Sequence, residues 1–95
     1  MRLSQFQIES IKNAGNKYLT GFQIFLYGSR TDDNKKGGDI DLMILGDRKI
    51  TIDEQSMFIE DLLLQIGEQK IDIASFEKKS ENTFYKIIKL EAIEL

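Results

Sequence analysis

Asp39 and Asp41 stand two residues apart inside the apolar run DIDLMIL. Alternate side chains of an extended strand leave the same face, so these carboxylates sit on one side, about 6–7 Å apart. Aspartate is a poor strand former, and like charges so placed repel. A divalent cation between them removes the repulsion, and donors that are all oxygens select magnesium, or manganese, over zinc. Asp72 lies in another strand-like run, KIDIASF, flanked by Ile71 and Ile73. With those isoleucines facing a core, Asp72 points the other way and joins Asp39 and Asp41 if the strands are neighbours. Three acids on one sheet face can hold two metal ions, an arrangement suited to in-line attack at phosphorus.

Just upstream, Gly28-Ser29 closes the apolar run FQIFLY. Glycine lets a phosphate come close to the backbone, and the Ser29 hydroxyl and nearby N–H groups can donate to its oxygens. Arg30, Lys35 and Lys36 bring positive charge into the loop that leads to the acids, placed to hold a triphosphate tail. The two lysines are read chiefly as solvated. Taken singly, Gly28-Ser29 is an ordinary turn and Asp72 a solvent-facing edge residue. In combination they point to a metal site.

Composition removes most rivals. The chain has no cysteine and no histidine, which excludes thiolate zinc sites, cysteine nucleophiles and the usual general base near neutral pH. Catalysis must then rest on carboxylates, hydroxyls, basic side chains and hard cations. A net charge of −3 and a pI near 4.9 argue against stable, sequence-blind binding to long nucleic acids, which needs a cationic face. The opening MRLSQFQIES lacks the apolar run of a signal peptide, and no stretch is long enough to span a bilayer, so a cytoplasmic location with no membrane association is expected.

Ninety-five residues with 41% apolar content are expected to form one domain, residues 1–95. Ser4 and Gln7 form a capping box for a first helix, with Leu3 placed to staple onto Ile8 and Gly15 or Gly21 near its end. Phe22–Tyr27 reads as a strand, and Arg30–Gly38 as a loop with a helical turn after Ser29. Asp39–Leu45 is a second strand. Ile52–Ile66 suits a helix capped by Thr51 or Asp53 and stopped at Gly67. Lys70–Phe76 is a third strand, and a last helix opens at Ser80 or Asn82 and runs towards Leu95. The fold class is α/β (α+β): a small mixed sheet with flanking helices, in the order α-β-(loop)-β-α-β-α. Phe84, Tyr85, Ile87, Ile88, Leu90, Ile93 and Leu95 exceed one narrow helical stripe. Most of that surface is expected in the core, with the surplus open to another chain.

Gly28-Ser29, then nine residues, then Asp39-Ile40-Asp41, with Asp72 downstream, resembles the pattern of the polymerase β-like nucleotidyltransferase superfamily. At this length the chain is most similar to the minimal nucleotidyltransferases, small partners of HEPN proteins in bacterial and archaeal toxin–antitoxin pairs. The resemblance implies the polymerase β-like nucleotidyltransferase fold, with Ser29 on triphosphate, Asp39 and Asp41 on both metal ions, and Asp72 on the catalytic metal and nucleophile. Gly28 and Arg30 complete the nucleotide-binding set, Arg30 matching the frequent Gly-Ser-Arg form. Two positions depart from the pattern: Thr31-Asp32-Asp33 replaces small residues and glycine, and Gly38 stands where serine is common. The implied activity is magnesium-dependent transfer of AMP from ATP to a hydroxyl on a HEPN-type helical partner. The alternative is an antitoxin that masks that partner without catalysis.

Overall fold

The computed structural model describes residues 1–32, 34 and 38–95. Helix α1 (Gln5–Tyr18) opens on the expected capping box: Ser4 Oγ accepts from the Gln7 N–H at 3.0 Å, and Gln7 Oε1 accepts from the Ser4 N–H at 2.9 Å. Gly15 does not stop this helix. It lets α1 close onto strand β1 (Gln23–Tyr27), because a Cβ there would meet Ile24 Cδ1. A 3₁₀ turn at Gly28–Thr31 follows, then strand β2 (Ile40–Gly46). Helix α2 (Ile52–Ile66) is capped by Thr51, not Asp53, through a second capping box with Glu54, and it ends at Gly67. Strand β3 (Ile71–Glu77) completes the crossover.

The last helix is shorter than expected. Helix α3 covers Thr83–Ile88, capped by Asn82, whose side chain accepts from the Tyr85 N–H. The chain then turns and adds strand β4 (Ile93–Glu94), pairing antiparallel with β1. The unpaired edge of β1 would leave backbone groups without partners, and a β-branched residue such as Ile93 favours the strand. The Leu95 N–H continues the edge, donating to the Ile24 carbonyl at 3.0 Å. The expected order therefore gains a strand, and helix does not reach Leu95.

The sheet order is β3-β2-β1-β4, with β2 and β3 parallel and the other pairs antiparallel. It is a mixed sheet of α+β class flanked by three helices, as the sequence predicts. Alternation gives it two apolar faces. Leu26, Ile40, Leu42 and Ile44 pack with Ile11, Ala14, Phe58 and Leu62, the inward residues of α1 and α2. Met43, Leu45 and Phe76 pack on the opposite face with Tyr85 and Ile88 of α3. Asp41 and Asp72 belong to that second face, at the end short α3 leaves uncovered. No helix among the described residues is long and apolar enough to cross a membrane.

Candidate active site

Strand pairing builds the site. Tyr27 faces Asp41 across the antiparallel β1–β2 ladder, and Asp41 faces Asp72 across the parallel β2–β3 ladder. Tyr27, Asp41 and Asp72 thus form one row over three strands. Asp39 lies one residue before β2, anchored where the Ile40 N–H donates to the Lys70 carbonyl at 3.0 Å. The sequence predicts Asp72 beside the paired acids, and the register brings it directly beside Asp41.

The row is electrostatically uncomfortable. Burial, then the Asp72 and Asp39 charges and a hydrogen bond that the protonated Asp41 carboxyl donates to Asp72, raise Asp41 above its ordinary pKa, with Lys70 opposing. Burial, then Asp41 and Asp72, push the Tyr27 hydroxyl up as well. Lys70 Nζ stands 3.5 Å from Asp39 Oδ2, and both groups are well exposed. Among the described residues, no three acidic side chains converge into a ready-made metal cage. Asp41 and Asp72 stand together, and Asp39 is paired with Lys70. This is an oxygen-only donor set under mutual repulsion, with a nearby cation already drawn in, so it fits a hard divalent ion.

The Gly28-Ser29 turn closes over Asp41. Gly28 takes φ +79°, and a Cβ there would overlap Asp41 Oδ2. On the other side, a Cβ on Gly38 (φ +91°) would come within 2.6 Å of Ser29 Oγ. Both glycines are needed for positive φ and for the close approach of turn to acid strand. The sequence departure at Gly38 thus has a backbone reason: serine there would be strained by the positive φ and would oblige the Ser29 hydroxyl to turn aside.

Arg30 ties this arrangement to the scaffold. Its Nη1 donates to the Arg2 carbonyl at 2.8 Å, and its Nη2 donates to the Gly38 carbonyl at 3.1 Å. Arg2 returns the contact, Nη2 donating to the Ser29 carbonyl at 3.1 Å and Nε to the Asp32 carbonyl at 3.0 Å. The expected hold of Arg30 on a triphosphate would compete with these bonds. Lys35 and Lys36 lie outside the described residues.

Sequence reasoning missed Tyr27, Lys70 and Arg2. Tyr27 was legible from its place just before Gly28-Ser29. Lys70 precedes Asp72 by two residues as Asp39 precedes Asp41, which puts each pair on one face. Arg2 carried no local signal, since its partners lie far along the chain.

The family model described as polymerase beta, nucleotidyltransferase matches residues 9–93 of the chain. No curated protein matches it closely enough to count as a relative.

Proposed function

Because the chain belongs to the polymerase β-type nucleotidyltransferase family, we propose that it moves AMP from ATP to a hydroxyl acceptor with magnesium, working in the cytoplasm. The observation that carries this reading is the register that sets Asp41 beside Asp72 under the Gly28-Ser29 turn. Asp39, Asp41 and Asp72 would hold one or two magnesium ions, which when bound neutralise triphosphate charge and acidify the acceptor hydroxyl. The Ser29 hydroxyl and the N–H groups of the turn donate to phosphate oxygens. Asp72 orients the acceptor and receives its proton. The acceptor oxygen bonds to the α-phosphorus, the bond from that phosphorus to the bridging oxygen breaks, and pyrophosphate leaves.

The acceptor best suited to an open sheet face is a hydroxyl on a folded protein. Resemblance to the minimal nucleotidyltransferases supports a HEPN-type helical partner, which would make this chain a modifying antitoxin. Exposed Ile87 and Leu90 on and just beyond α3 also suit the alternative, in which partner masking needs no transfer. Incubation with labelled ATP, magnesium and the product of the neighbouring gene separates these readings. Label on the partner that vanishes with Asp41→Ala supports transfer. Tight binding and neutralisation without label would replace it with masking.

A further inference from the structure

Phe84, the second residue of α3, keeps 50% of its surface exposed. Its ring meets Tyr27 nearly edge-on, with centroids 6.0 Å apart and planes at 80°. It also lies 6.2 Å from the ring of Phe76. Tyr27 is the register partner of Asp41 and feels the charges of Asp41 and Asp72. Phe84 is therefore one ring removed from the acid row, on the same face of the sheet.

The helix does not depend on Phe84 for anchorage. Tyr85 and Ile88 are buried, and Tyr85 packs against Phe76 with centroids 5.2 Å apart. The surface of α3 changes character along its length. Ile87 and, beyond the helix, Leu90 are exposed aliphatic groups, whereas the aromatic group lies against Tyr27. The other exposed phenylalanine, Phe6, rides on α1 against the opposite face. A ring steadied by two neighbours and half open to solvent loses little freedom on stacking, which favours a flat, polarisable ligand over an aliphatic one.

We propose that Phe84 is the base-stacking residue of the nucleotide site. With the triphosphate held at Ser29 and the acids, the nucleobase lies on the open side of Phe84. This rests on the nucleotide reading given above. Every base presents a π-face, so the residue strengthens binding without choosing among bases.

The test compares magnesium ATP with magnesium tripolyphosphate, which carries the phosphates but no base. By calorimetry, Phe84→Ala and the better-packed Phe84→Leu should weaken ATP about tenfold and leave tripolyphosphate unchanged. The chain has no tryptophan, so Phe84→Trp gives a single tryptophan whose selectively excited emission ATP should quench and tripolyphosphate should not. Unchanged ATP affinity in Phe84→Leu, or equal loss for both ligands, would overturn the proposal. If the unaltered protein binds neither ligand, the nucleotide reading itself has failed and the stacking role falls with it.

Discussion

Asp41 and Asp72 occupy matched positions on two parallel strands, their carboxyls close enough for a hydrogen bond once one is protonated. Neither lies in a deep interior where burial would neutralise it outright. The pair is a site of stored repulsion that a bound cation would relieve.

Asp41→Asn should therefore raise the melting temperature in metal-free buffer by a few degrees, on the scale of about 1 kcal/mol or less. On the proposed reading, magnesium should stabilise the unaltered protein, and the same change should remove that stabilisation. Thermal melts with and without the ion check both. A variant that melts lower without metal would mean that the carboxylate serves the fold.

Gly28→Ala meets two obstacles, a positive φ and the Asp41 carboxylate. The backbone alone costs about 1–2 kcal/mol, and the overlap must also displace Asp41. Denaturant unfolding should show at least that loss, and magnesium ATP binding should disappear at temperatures where the variant is still folded. Retained binding would mean that the turn tolerates a shift away from the acid.

Lys70→Ala frees Asp39 from its exposed ion pair. Such pairs are worth under about 1 kcal/mol, so magnesium affinity without nucleotide should rise by roughly two- to fivefold. Titration of the free protein with magnesium measures this. A fall in affinity would assign Lys70 to ordering Asp39, not to competing for it.

Much of this arrangement is legible before any coordinates. The alternation of Asp39 and Asp41 inside an apolar run fixes their shared face, and flanking isoleucines do the same for Asp72, because side-chain direction in a strand has period two. Thr51 and Ser4 announce their helices through partners three residues on. The end of α3 is not legible, because Leu90, Ile93 and Leu95 continue an apolar pattern that suits helix. The open edge of β1 decides that segment, and no local signal reports a free sheet edge. The work done by Arg30 is hidden for a similar reason. A charged residue after Gly-Ser suits phosphate, yet its nitrogens meet the carbonyls of Arg2 and Gly38.

Away from the site, Glu54 should make a modest contribution to acid stability. It accepts two hydrogen bonds from Arg48, at 2.8 and 2.9 Å, and closes the α2 capping box with Thr51. Arg48, then the Thr51 backbone, lower its carboxyl from the ordinary 4.5 to about 2. The unfolded chain binds that proton more readily, so the stabilisation is complete above about pH 4.5 and is lost as pH falls towards 2. Glu54→Gln should flatten the stability profile across that window and leave neutral-pH nucleotide binding intact. An unchanged acid slope would count against this assignment.

The parallel pairing of β2 with β3 has a consequence in time. All of α2 lies between Asp41 and Asp72 along the chain, so the two carboxylates meet only after the crossover has formed and β3 has docked. Until β3 docks, the chain has the Gly-Ser turn and the first two acids but not Asp72 beside them. On the proposed reading, competence thus waits on the β2–β3 pairing, and parting β3 from β2 would separate the two acids.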